Sequence, residues 1–195
     1  MKATLIALRL LLVMTAITGI IYPLAITGIA RIVFPWQASG SMVEVQGKPA
    51  GSELIGQNFT DSTYFWPRPS AVNYDPLPSG GSNLGWTSKS LEQQVAERRR
   101  FLLQTSGDTA TTAVPSDLLF ASGSGLDPDI TPAAACFQVD RIAQSRGLDV
   151  EQRNRLIALV DSHTAPRDLG ILGEPRVNVL LLNIALDSLT TSLEK

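Results

Sequence analysis

A run of 21 residues without a formal charge, Leu10 to Ala30, constrains this chain more than any other feature. Lys2 and Arg9 stand before it and Arg31 after it. About 20 consecutive apolar residues in a helix match the hydrocarbon thickness of a bilayer, so the run reads as a retained transmembrane helix. The competing reading is a secretory signal cut after small residues such as Gly28 and Ala30. Signal sequences normally carry an apolar region of only about 7 to 15 residues, which favours the retained span. Phe34 and Trp36 follow at the point where aromatic rings anchor a helix at the membrane interface. Lys2, Arg9 and the amino terminus favour a cytoplasmic start, against which Arg31 and Lys48 weigh on the other side. One span in 195 residues leaves room for one globular domain. The expected division is therefore an anchor over residues 1–36 and a soluble domain over 37–195.

Thr15, Gly19, Pro23 and Thr27 recur every four residues within the span. A stripe of small or kink-forming residues lets another helix backbone approach closely, which is how membrane helices associate when hydrophobicity does not drive the contact. The stripe suits a partner helix, although small residues also occur in membrane helices that face only lipid.

Net charge is -2. Without a basic face a phosphate-backbone partner is not expected, so nucleic-acid binding is excluded. The chain has one cysteine, Cys136, and one histidine, His163. Together they do not make an ordinary structural zinc site, and no metal site is expected. Cys136 sits among alanines and reads as a small packed hydrophobe. His163 reads as a helix cap.

From Gln37 to Thr87 the composition turns to Gly, Ser, Pro and Asn with scattered aromatics. Irregular, loop-rich β structure is expected, with Ser52 to Ile55 and Ser62 to Trp66 as candidate strands. Within Tyr64 to Ser70 (Y-F-W-P-R-P-S), Arg68 stands between two prolines in a stiff, extended segment. An arginine so presented suits a bidentate carboxylate clamp, while internal pairing or solvation is an equal alternative. Ser79-Gly80-Gly81-Ser82-Asn83 is a second loop, dense in hydroxyl, amide and backbone donors, but it lacks the lysine and spacing of a phosphate-binding loop.

Ser90-Leu91-Glu92-Gln93 reads as a capping box opening a helix to about Gln104, with Leu91, Val95 and Leu102 inward and Arg98 to Arg100 on a wet face. Thr105 to Ala113 has no hydrophobic period and is expected to be a mobile connector. Ala121 to Ala135 (A-S-G-S-G-L-D-P-D-I-T-P-A-A-A) carries the strictest backbone requirements of the chain. Gly123 and Gly125 permit positive φ, Pro128 biases Asp127 away from helix, and Thr131-Pro132 is an N-cap followed by proline at the first helical position. A loop delivered into a helix start suits an anion or a partner's carboxylate, or simply a tight cap. Ser122 and Ser124 are the candidates for a rival reading as a serine hydrolase, but Ser124 lacks the glycines a nucleophile elbow requires. Helices follow over Pro132 to Arg146, stopped by Gly147, and over Val150 to Ser162, capped by Asp149. Pro175 is expected to open a buried central helix, Val177 to Leu193, whose Asn178 and Asn183 need internal partners, for which the Gly-rich loops are candidates. The fold class is α+β: an anchor helix, then a domain with a loop-rich β part and a helical core.

Taken together, Phe34 to Ser41, Leu54 to Thr60, Tyr64 to Ala71, Ser79 to Leu84, Ser122 to Ala135 and Val177 to Asp187 resemble the C subunit of the bacterial Kdp potassium-transporting ATPase. The resemblance implies a non-catalytic subunit of an ATP-driven potassium importer in the bacterial plasma membrane. Its implied partners are a channel-like potassium-binding subunit, a P-type ATPase subunit and membrane lipid. In that family the C subunit serves assembly and acts as a catalytic chaperone that raises ATP affinity. No tightly bound cofactor is implied, although ATP is available through the complex and Ser79 to Ser82 loosely resembles a signature that contacts ATP phosphates. The family's soluble domain lies on the outer face, where there is no ATP, so an external scaffold acting at a distance is the preferred expectation. Arg68, Ser70, the Ser79 to Asn83 loop, Ser122 to Gly125 and Asp127 are the candidate partner-contact positions.

Overall fold

A computed structural model of the chain describes residues 2–106 and 113–193. These divide into two compact units, the first ending at Ser52 and the second beginning at Glu53. The structural boundary thus falls later than the end of the anchor, because a hairpin after the anchor joins the first unit. Residues 107–112, most of the expected connector, lie outside the described residues.

The first unit opens with α1, Lys2–Val33, a 32-residue helix that is long and apolar enough to cross a membrane and none of whose apolar window is buried. At 1.5 Å per residue it is about 48 Å long, more than a bilayer core requires. One turn, Ile17–Ile21, is a π turn in which the N–H of Tyr22 donates to the carbonyl of Ile17. Pro23 explains its position. Proline offers no N–H to the carbonyl four residues back and its ring crowds that oxygen, and a widened turn just upstream absorbs the defect. A short turn, α2 (Pro35–Ala38), then leads to strands β1 (Met42–Val45) and β2 (Lys48–Ser52). Gln46 and Gly47 join them with φ of 53° and 74°, the paired positive values that suit a two-residue hairpin turn to the strands' twist. A register shift between Val43 and Glu44 places a bulge beside Pro49, which has no N–H to give to a ladder. Trp36 Nε1 donates to Met42 O at 3.1 Å and Ser52 Oγ to Gly40 O at 2.7 Å, tying hairpin to turn.

In the second unit, α3 (Lys89–Thr105) and α4 (Ser116–Leu119) precede strand β3 (Asp129–Ile130), and α5 (Pro132–Ser145) and α6 (Val150–Ser162) follow it. Strands β4 (Thr164–Ala165) and β5 (Arg176–Asn178) run into the last helix, α7 (Val179–Leu193). The three short strands pair antiparallel in the order β3-β5-β4. Ile142, Leu156, Val160, Val177, Leu182 and Leu186 are fully buried at the centre, with Phe65 inserted from the irregular segment.

Helix ends follow the sequence closely. Thr131 Oγ1 accepts from Ala134 N at 3.1 Å with Pro132 in the first turn, and Asp149 and Gln152 form a reciprocal capping box. Gly147, at φ 64°, stops α5. His163 closes α6, its N–H donating to Leu159 O and Val160 O.

Several expectations are corrected. The strand at 52–55 lies earlier, at Lys48–Ser52, and Ser62 to Trp66 forms no strand. The cap of α3 is Ser88, which accepts from Leu91 N at 3.4 Å, so Ser90 falls inside the helix. Arg98 does not lie on the wet face: Nη1 donates to Leu119 O at 2.8 Å, satisfying a carbonyl at the end of α4. Residues 176–178 pair as β5 because Val177 is wanted in the sheet and core, so the last helix begins only at Val179. Cys136 is exposed rather than packed, since the inward positions beside it belong to Ala134, Ala135 and Val139.

Candidate functional site

Three of the loops singled out in the sequence converge at Gly125. This residue has φ 71°, and a β-carbon there would lie 2.6 Å from Val72 Cγ2, 2.7 Å from Gly80 O and 3.2 Å from Ser70 Oγ. Gly81 faces Gly123 in the same way, with a β-carbon placed 3.0 Å from the Gly123 carbonyl oxygen. The glycines of the Ser79 to Asn83 loop and of the central loop therefore allow two backbones to touch. Gly56 extends the junction: its N–H donates to Leu126 O at 2.8 Å, and any side chain on it would meet the Asp127 carbonyl.

Arg68 and Ser70 hold the third side. Arg68 Nη1 donates to Asp127 Oδ2 at 3.0 Å, so the carboxylate it takes is this chain's own. Asp127 Oδ1 meanwhile accepts from Asp129 N at 3.1 Å, which keeps the Asp-Pro turn in shape. Ser70 Oγ accepts from Val72 N and Tyr74 N, and the Tyr74 hydroxyl donates to Arg68 O at 2.6 Å. Burial pushes the Tyr74 phenol up to about 12, so it remains a donor at every physiological pH. Ser122 is buried, with its N–H donating to Pro69 O at 3.0 Å. Ser124 is exposed and its Oγ accepts from Leu126 N at 3.1 Å. The His163 ring is engaged elsewhere, with Nδ1 3.0 Å from Leu159 O and 3.2 Å from Ser162 Oγ. The structure thus joins Arg68, Ser70, Gly80, Gly81, Ser122, Gly123, Gly125 and Asp127 into one junction. Ser79 and Asn83 sit on its exposed rim, and Ser82 is half-buried.

The extended Tyr64 to Pro69 segment is held by side chains instead of a neighbouring strand. Asn183 Oδ1 accepts from Phe65 N at 2.8 Å and Nδ2 donates to Phe65 O at 3.0 Å. Gln138 does the same for the next residue: Oε1 accepts from Trp66 N at 2.8 Å and Nε2 donates to Trp66 O at 3.1 Å. Two buried amides therefore replace the ladder that a paired strand would supply. Arg141 donates to Ser62 O, to Tyr64 O at 2.9 Å and to Gln138 Oε1 at 2.7 Å, with its guanidinium 3.6 Å from the Trp66 ring centre. Burial lowers the Arg141 pKa to about 10, which leaves it charged at neutral pH. Arg146 Nε donates to Thr63 O at 2.8 Å, and Nη2 pairs with Asp187 at the same distance. Sequence reasoning missed Gln138 and Arg141. Their signal was polarity three residues apart on the inward face of a helix otherwise rich in alanine. It also placed the asparagine partners in the Gly-rich loops, whereas Asn183 bonds Phe65 and Asn178 donates to Glu53 O at 2.8 Å.

An open cleft of about 330 Å³ lies beside the junction, lined by Arg68, Asp117, Asp127, Asp129, Thr131 and Arg176 among others. Its charges are largely satisfied within the chain. Asp117 accepts from Thr131 N at 2.7 Å, and Asp129 lies 3.6 Å from Arg176. Burial, together with the nearby Asp127, holds the Asp129 carboxyl above its ordinary range.

In the anchor, Thr15, Gly19, Pro23 and Thr27 flank and include the π turn. In a regular α-helix each four-residue step advances the face by about 40°, so the stripe would drift by about 120° along its length. A π turn uses more residues per revolution and holds that drift back. Among the described residues nothing fills the notch at Gly19, where a β-carbon would meet only Thr15 Cγ2, at 3.9 Å.

Comparison with known proteins adds a consistent set of likenesses. The family described as "K+-transporting ATPase, c chain" matches residues 4–188. The chain is 53% identical over 192 residues to a "Potassium-transporting ATPase KdpC subunit" of Gemmatimonas aurantiaca, covering 95% of this chain and 94% of the relative. It is 51% identical over 183 residues to the protein so described in Leptospira interrogans, covering 94% and 92% of the two chains. The likeness to the one from Rhodospirillum rubrum is 51% over 183 residues, covering 93% of each.

Proposed function

Because this chain belongs to the family of the K+-transporting ATPase c chain, we propose that it works as a non-catalytic accessory subunit of a high-affinity potassium import complex. It stabilises the assembly and raises the ATP affinity of the hydrolysing subunit without touching nucleotide. Its partners are a channel-like potassium-binding subunit and a P-type ATPase subunit, with α1 in the plasma membrane, the amino terminus inside and the second unit outside.

The observation that carries this reading is the use made of the Ser79 to Asn83 loop. A phosphate-binding loop needs glycine so that a ligand can approach the backbone, and a cation to hold the charge. Here Gly81 is occupied by the approach of Gly123, and the carbonyl of Gly80 is packed against Gly125. The loop contains no lysine or arginine, and nearby Arg68 is paired with Asp127. ATP affinity is then raised by coupling: this subunit makes different contacts with two conformations of the pump and so biases their equilibrium.

The test uses the assembled complex in right-side-out vesicles. Ser79→Cys in a Cys136→Ala background is expected to react with an impermeant maleimide added outside. Complex lacking this chain is expected to need more ATP for half-maximal hydrolysis. Reaction at position 79 only from the inner face, with azido-ATP labelling of this chain, would establish direct nucleotide contact and refute the reading.

A further inference from the structure

Residues 17–23, at the middle of α1, depart from a regular helix in several independent ways. Ile17–Ile21 is wound as a π turn, and Pro23 stands in the first turn of the regular stretch that follows it. Thr18 Oγ1 donates back to Met14 O at 2.7 Å, a bond that competes with the ladder and bends helices. The carbonyl crowded by the Pro23 ring, four residues back, belongs to Gly19, which has no side chain to stiffen the turn.

The hydrogen-bond ladder is interrupted at this level. In an α-helix the Thr18 carbonyl is served by the N–H of residue 22, and in a π turn by that of residue 23. Tyr22 N–H donates to Ile17 O instead, and Pro23 has no N–H. On either side the winding is regular, over Lys2–Ala16 and over Tyr22–Val33. Bending a helix costs the bonds it stretches, and at Thr18 those bonds are already missing. No packing opposes the motion either, since none of the apolar window is buried within the chain.

We propose that residues 17–23 form a hinge at mid-span, which lets the two arms of α1 take separate tilts in a bilayer. The hinge rests on α1 spanning the membrane and is independent of how the chain affects ATP affinity. At about 48 Å, α1 exceeds a hydrocarbon core of about 30 Å. A straight rod follows a change in bilayer thickness by tilting as a whole, which swings rings such as Phe34 and Trp36 out of the interface that suits them. With a hinge, the amino-terminal arm tilts while the arm that leads to Phe34 and Trp36 keeps its angle. A hinge also differs from a fixed kink, because its angle responds to the membrane.

The test uses the full chain in aligned bilayers of short-chain and of long-chain phosphatidylcholine, in a Cys136→Ala background. A rigid spin label fastened to two cysteines four residues apart reports the tilt of the arm beneath it. The pairs are Leu8→Cys with Leu12→Cys in one arm and Ala25→Cys with Ile29→Cys in the other, all four being exposed positions. The two arms are expected to differ in tilt by about 20°, and that difference is expected to change by about 10° between the two bilayers. Pro23→Ala restores the N–H and is expected to bring both arms to one shared tilt. A single tilt in the wild type, a difference that stays the same in both bilayers, or a Pro23→Ala chain that behaves as the wild type would overturn the hinge. Label signals without any orientation would show that α1 does not insert, and the membrane placement would fall together with the hinge.

Discussion

The carbonyl oxygen of Gly80 occupies the space that a side chain on Gly125 would need, 2.7 Å from the β-carbon position. Gly123, two residues earlier, has open space around the same position and no positive φ. Gly125→Ala is therefore expected to cost about 2 kcal/mol or more, from the left-handed φ and the collision together. Gly123→Ala is expected to cost well under about 1 kcal/mol. Thermal unfolding of the two full-length variants in detergent separates them, and equal stability would show that the loops do not meet as described.

Asn183 is buried and satisfies both backbone groups of Phe65. Asn183→Leu keeps the branched outline of the side chain, in a somewhat larger volume, but strands a buried N–H and a buried carbonyl, with an expected loss of about 2 to 4 kcal/mol. Asn183→Asp keeps the acceptor, loses the donor and adds a buried charge. It is expected to be rescued in part at low pH, where the acid can again donate to Phe65 O. Denaturant titration at two pH values checks both.

Asp129 has a carboxyl whose pKa is raised in the folded chain by burial and by the neighbouring Asp127. The folded state then holds its proton more tightly than the unfolded state. Its stabilising contribution is complete below the ordinary value of 3.8 and is lost as pH rises through the higher folded value. Asp129→Asn removes that loss. The variant is expected to be more stable than the parent at pH 7, with the advantage shrinking as pH falls toward 4. A constant difference across that window would mean that the carboxyl is not perturbed.

Much of this architecture is legible in the sequence where the deciding physics is local. The apolar run gives α1, Thr131-Pro132 and Asp149 give helix starts, and Gly147 gives a stop, because capping and backbone preference act within one turn. What the sequence hides is non-local. Ser62 to Trp66 has the aromatic composition of a strand, yet its hydrogen bonds go to Gln138 and Asn183, so nothing in its own pattern reveals the missing neighbour. Arg98 lies in a run of three arginines that reads as a wet face, and only the position of the Leu119 carbonyl distinguishes it. The candidate loops were individually visible from their glycines. That Gly80 and Gly81 are spent on the central loop follows from tertiary approach alone.

Gly19 offers an open notch on a helix that buries none of its apolar window within the chain. Gly19→Leu is expected to leave the isolated chain's helicity unchanged but to weaken a helix contact in the membrane by about 1 to 2 kcal/mol. Subunit recovery after detergent extraction reads the difference. Unchanged recovery would mean that this stripe faces lipid.

The amides that fasten Phe65 and Trp66 carry a consequence for the order in which the chain is made. Gln138 stands 72 positions after the residue it binds, and Asn183 stands 118 positions after its own. Synthesis delivers the Tyr64 to Pro69 segment before either clasp exists, and among the described residues no earlier strand pairs with it. The segment therefore stays unclasped until both Gln138 and Asn183 have been made. A chain that stops short of residue 183 lacks the side chain that seats Phe65.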